Sequence, residues 1–152
     1  MEYICETKER QETPTIAIRT RTTVENIPMV VGQAFGALGG YMAQQGAQMA
    51  GMPYVAYHNM DMQDLDMEVG FPLTAPVPGA GELKAGTIPA GTVITTMHKG
   101  AYTDLGEAYE ALNAYIQLKG LHPTGVVYEF YYNAPDEVKP EDLLTEIQFP
   151  LE

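Results

Sequence analysis

Apolar residues recur along this chain with two periods, and the order of the periods repeats. Leu105, Tyr109, Leu112 and Ile116 are spaced four, three and four apart, the single apolar stripe of an amphipathic helix. Val31, Phe35, Leu38 and Met42 form the same stripe earlier in the chain. A strand is predicted ahead of each stripe, at residues 15–21 and 92–98, and two more behind it, at 52–59 with 67–73 and at 126–133 with 145–151. The predicted unit is strand–helix–strand–strand, taken twice. Thr103 is the expected N-cap of the second helix, and Gly46 and Gly120 are the expected C-terminal stops. Gly36, Gly39 and Gly40 lie inside the first helix, each costing about 0.5–1 kcal/mol relative to Ala, which predicts that helix to be the weaker.

The repetition is also literal. GQAFGALGGYMAQQG from Gly32 aligns without a gap on GEAYEALNAYIQLKG from Gly106, and the match runs on to Asn59 and Asn133 with 10 of 28 positions identical. TIAIRTR from Thr15 resembles TVITTMH from Thr92, and MEVGFPL from Met67 resembles TEIQFPL from Thr145. Two copies of one supersecondary unit are expected, about 15–73 and 92–151, in a single α+β domain over residues 1–152. The copies would be pseudo-symmetric, each with an antiparallel sheet, and the site is expected in a cleft between them. Residues 74–91 form a Pro- and Gly-rich connection in which 82–87 could add a short edge strand.

Charge and composition narrow the function classes. Twenty acidic against 8 basic residues give −12, which opposes direct binding to nucleic acid and favours cationic small molecules. The apolar runs are too short to cross a bilayer, and MEYICETKER has no secretory signature. One cysteine, Cys5, fits a reducing, cytoplasmic setting. The chain has no serine, so a serine triad is excluded, and three scattered histidines give no metal-ligand spacing. The glycines of GQAFGALGG lie in a helical pattern and match no nucleotide-binding fingerprint, so neither metal nor cofactor is expected.

Three stretches carry a family resemblance: IPAGTVITTMHKGAY at 88–102, YEFYYNAP at 128–135, and the closing TEIQFPL. With the strand–helix–strand–strand order they resemble the GyrI-like small-molecule-binding family, also found as the effector-binding domain of AraC- and MerR-type activators. The resemblance implies a binding site for lipophilic, often aromatic or cationic, compounds, with an acidic residue of the second copy as anchor. It also implies a stand-alone member, since the chain leaves no room for a helix-turn-helix domain. Stand-alone relatives are associated with protection from toxins, including inhibitors of DNA gyrase, and some with hydrolysis of cyclopropane-bearing DNA alkylators.

Glu129 is the leading candidate, because it replaces the aligned Val55 of the first copy while Tyr131 matches Tyr57. Strand alternation places Tyr128, Phe130 and Tyr132 on one face, and their apolar character assigns that face to the helix-covered core. Glu129 and Tyr131 are then expected on the opposite, cleft-facing side. Glu129 could pair with a cation, or act with Tyr131 as a general base. Val55, Tyr57, His98 and Tyr102 are expected as walls, with Glu68 and Glu146 as further carboxylates. Met60 and Met62 are candidates for an entrance. The reading is a small-molecule binder. A hydrolase using Glu129 to activate water, and an acidic module that meets gyrase as a protein partner, stand as alternatives.

Overall fold

A computed structural model describes residues 2–152. Along the chain the elements are β1 (Glu6–Arg10), β2 (Thr13–Thr22), α1 (Ile27–Gln45), β3 (Tyr54–Tyr57) and β4 (Leu65–Pro72). β5 (Leu83–Ile88), β6 (Gly91–Lys99), α2 (Leu105–Lys119), β7 (Val127–Tyr131) and β8 (Leu144–Pro150) follow. The chain divides into two compact units. The central unit is Gln11–Ala90, and the C-terminal unit joins the residues up to Arg10 with Gly91–Glu152.

Each unit is a four-stranded antiparallel sheet with one helix. The C-terminal unit has the order β1-β6-β8-β7, and the central unit the order β3-β4-β2-β5. The α+β class and the doubled strand–helix–strand–strand unit are therefore present as read from the pattern. The connection between the copies does supply an edge strand, β5. Each unit takes that edge strand from ahead of the other copy: β1 precedes the first copy but pairs with β6, and β5 precedes the second but pairs with β2.

The register corrects one alignment. Thr15 pairs with Pro72 and Val93 with Pro150, so Thr15 corresponds to Val93, one residue past the Thr92 that sequence similarity suggested. A slip of one residue exchanges the two faces of a strand, so the correction carries chemical weight. The helices differ in length, 19 residues against 15. The difference is about one helical turn, so the buried stripe stays on the same side.

Ala34, Leu38 and Met42 are the buried positions of α1, and Ala108, Leu112 and Ile116 those of α2. The stripe of α2 packs on Ile94, Val127, Ile147 and Phe149 of the sheet below. Both helices end at a left-handed glycine, Gly46 (φ 63°) and Gly120 (φ 64°). Gly120 N–H bonds back to the carbonyl of Gln117, and Leu121 N–H to that of Ile116. The start of α2 differs from expectation. Thr103 lies within a 3₁₀ turn, Tyr102–Asp104, and the capping position falls to Asp104 without a side-chain cap bond.

Face parity is the main correction. Val127 belongs to the core under α2, so Glu129 and Tyr131, two and four residues on, share the helix-covered face. Tyr128, Phe130 and Tyr132 point to the opposite face. Aromatic content misassigned the faces because both are apolar: Tyr128 is buried without help from the helix. Among the described residues, no helix is long and apolar enough to cross a membrane.

Candidate functional site

The helix-covered face of the C-terminal unit gathers three of the expected residues, Tyr131, Tyr102 and His98, around a fourth, the Glu129 carboxylate. Glu129 sits mid-strand in β7 and is 6% exposed. Tyr131 Oη donates to its Oε1 at 2.8 Å, and Tyr109 Oη, from α2, donates to its Oε2. Burial pushes the Glu129 carboxyl above its ordinary range, and the two hydroxyls and the nearby His98 only partly offset it. None of the described Lys or Arg side chains forms an ion pair with it.

Tyr102 closes one side, its ring edge-on to Tyr131 with centroids 5.9 Å apart. Burial, and secondarily the Glu129 charge, raise the Tyr102 hydroxyl. His98 is 1% exposed, with Nε2 3.1 Å from the Ala101 carbonyl and Nδ1 2.8 Å from Tyr3 Oη. A carbonyl can only accept, so Nε2 carries the proton, and in the neutral ring Nδ1 accepts from Tyr3. Gly100 (φ 144°) makes the bend after β6 that brings Ala101 back to the ring. The arrangement is a buried, proton-tunable carboxylate among aromatic rings and hydroxyls.

The other expected residues stand elsewhere. Val55 and Tyr57 lie on β3 of the central unit, at positions matching Glu129 and Tyr131, and also on the helix side. Glu68 and Glu146 occupy the face opposite the helix in their own units, so Glu146 does not join Glu129. Glu68 accepts from Tyr54 and lies 3.0 Å from His58 Nε2. Burial raises the Glu68 carboxyl, but the His58 and Tyr54 hydrogen bonds and the His58 charge leave it below the ordinary range. Glu146 accepts from Lys8 Nζ at 2.6 Å, Thr95 Oγ1 at 2.7 Å, Tyr132 Oη at 2.7 Å and Gln148 Nε2 at 3.0 Å. Burial acts upward on Glu146 as well, but these four donors hold it below its ordinary value. Tyr132 is pushed up to about 12, first by burial and then by Glu146. Met60 and Met62 are exposed in a turn of the central unit. No group of three or more His, Cys, Asp or Glu among the described residues could hold a metal.

Tyr109 and Tyr3 escaped the sequence reading. For Tyr109 a signal existed: it aligns with Phe35, just as Glu129 aligns with Val55. Phe35 stacks on Phe71, centroids 5.5 Å apart, whereas Tyr109 turns its hydroxyl to Glu129. Two polar replacements at matched positions mark a contact.

No curated protein matches the chain in sequence. Among solved structures it resembles the EcmrR C-terminal domain, 25% identical with a TM-score of 0.86, over 100% of this chain and 99% of that one. It also resembles EcmrR in its complex with DNA, 23% identical with a TM-score of 0.86, over 99% of this chain but only 57% of that protein's length. A third likeness is to SAV2435 bound to tetraphenylphosphonium, 13% identical with a TM-score of 0.68, over 100% and 94% of the two chains. The family model of the GyrI-like small molecule binding domain matches residues 2–152, and the chain belongs to that family.

Proposed function

We propose that the C-terminal unit binds a lipophilic organic cation, with Glu129 as its counter-charge. The observation that carries the reading is a nearly enclosed carboxylate, supported by two tyrosine hydroxyls and lacking a Lys or Arg partner. Burial penalises the ionised form. A cation with its charge spread over aromatic rings is weakly hydrated, so it reaches such a carboxylate at a smaller desolvation cost than a compact ammonium. Tyr102, Tyr109 and Tyr131 offer rings for cation–π contact. The excess of 12 negative charges adds a long-range pull on cations. The tetraphenylphosphonium held by SAV2435 supports this ligand class, and in this reading the protein serves in protection from drugs or toxins.

Titration calorimetry with tetraphenylphosphonium tests the proposal. Glu129→Gln keeps the shape and removes the charge, and should weaken binding by about 1.5–3 kcal/mol, the worth of a charge-assisted contact. Unchanged affinity in this variant would sink the reading. The raised Glu129 carboxyl and the Tyr131 hydroxyl at 2.8 Å favour a second reading, a general base for opening strained electrophilic rings. Mass spectrometry of a cyclopropane-bearing alkylator incubated with the protein separates the two. Turnover that falls by roughly 10²–10⁴-fold in Glu129→Gln would favour hydrolysis.

A further inference from the structure

Among the described residues, one buried side-chain oxygen or nitrogen has no hydrogen-bond partner, and it is Thr145 Oγ1. Thr145 is fully buried, at 0% exposure. Its place in the sheet is informative. In register it pairs with His98 on β6 and with Tyr131 on β7, so the three side chains form one row on the helix-covered face. The adjacent row on that face is Thr96, Ile147 and Glu129. Thr145 therefore lies between two residues of the Glu129 site, one row from the carboxylate itself.

The central unit supplies an internal control. Its matching row is Thr20, Met67 and Tyr57, and Met67 is likewise 0% exposed. The fold accepts an apolar side chain at this point of the sheet. A buried hydroxyl without a partner is destabilising, so Thr145 brings a cost that the architecture does not demand. That cost falls in the unit that also replaces Val55 by Glu129 and Phe35 by Tyr109.

We infer that Thr145 is a specificity-determining contact, whose hydroxyl pairs with a hydrogen-bonding group carried by the cation that Glu129 holds. The inference rests on the cation reading above and narrows its ligand class: an organic cation with a hydroxyl or carbonyl near its charged centre. Thr145 Oγ1 is enclosed, so a side chain must move to admit the ligand. Tyr102, 37% exposed and edge-on to the Tyr131 ring, is the site residue nearest solvent.

The test uses matched probes: tetraphenylphosphonium, which has no hydrogen-bonding group, and its three isomers carrying one hydroxymethyl group ortho, meta or para on one ring. Affinities are measured by calorimetry for the native chain, Thr145→Val and Thr145→Ser. At least one hydroxymethyl isomer should bind Thr145→Val about 3–10-fold more weakly than the native chain, the scale of one neutral hydrogen bond. Tetraphenylphosphonium itself should stay within about twofold, and Thr145→Ser should restore the isomer's affinity. Thermal unfolding of Thr145→Val at or above the native midpoint shows that the variant folds. Equal weakening of parent and isomers, or no change in any isomer, overturns the Thr145 assignment alone. If the native chain binds none of the four compounds, the cation reading fails and the assignment falls with it.

Discussion

Glu129 and Glu146 stand on neighbouring strands, yet they point to opposite faces of the same sheet. Glu129 is opposite Ile147, and Glu146 is opposite Phe130. Burial acts upward on both carboxyls, but only Glu146 has an ion-pair partner and three further donors to reverse it. One strand pair thus carries a carboxylate poised to take up a proton and another held ionised. Their variants should behave in opposite ways.

Glu129→Gln should stabilise the protein at pH 8 and have much less effect near pH 4. The folded-state pKa is raised above the unfolded value. Stability therefore falls as pH climbs from the unfolded value through the folded one, where the buried group must ionise. Urea unfolding of both proteins across that range checks the sign. A variant that is less stable at pH 8 would contradict it.

Lys8→Met removes the ion-pair partner of Glu146. Lys8 is 43% exposed, so screening limits the loss to about 1 kcal/mol at neutral pH. Glu146 has a lowered folded-state pKa, so its contribution is present above the unfolded value and disappears as pH falls through the folded one. The variant should show a shallower acid limb in a stability–pH profile. Loss of the same amount at every pH would point to packing instead.

Tyr109→Phe makes α2 resemble α1 at this position. One hydroxyl that lowers the Glu129 pKa disappears, so the carboxyl rises further. Cation affinity depends on the ionised form. The pH midpoint for tetraphenylphosphonium binding should therefore move upward, with weaker binding at pH 7. A midpoint that stays in place would show that Tyr109 does not tune the carboxylate.

Two glycine substitutions should differ in sign. A Cβ on Gly70 would lie 2.7 Å from Tyr54 Oη and 2.9 Å from Ala17 Cβ. Tyr54 is fully buried and bonded to Glu68, so it has little room to yield. Gly70→Ala should cost about 1–3 kcal/mol. A Cβ on Gly36 meets nothing within 4 Å, and Gly36→Ala should add about 0.5–1 kcal/mol through helix propensity. Chemical denaturation reads both.

Helices, glycine stops and the three strands of each copy were legible because each depends on local pattern: the spacing of Leu105, Tyr109, Leu112 and Ile116, or a glycine at 46 and 120. The charged β1, ETKER, has no apolar alternation to mark it as a strand. Strand facing was not. Alternation shows which residues share a face but not which face the helix covers, and the usual marker is a polar, solvated side. Here Val127 and Tyr128 are both buried, so that marker is missing. The Thr15-to-Thr92 alignment failed for a related reason, since threonines stand at both 92 and 95–96 and only the pairing with β8 sets the frame. Glu129 and Tyr131 could be found by comparing the copies. Thr145 could not, because an unpaired hydroxyl is a property of three dimensions.

The exchange of edge strands imposes an order on synthesis. The central unit is one continuous run of chain, whereas the C-terminal unit has its first strand made before the whole of the central unit. β1 leaves the ribosome about eighty residues ahead of β6, the strand it pairs with, a wait of roughly 4–16 s at ordinary elongation rates. A bare strand of that kind invites pairing with other nascent chains. Its sequence, ETKER, carries four charges in five residues and lacks any large apolar side chain. Such a strand stays hydrated and discourages wrong pairing until its true neighbour arrives.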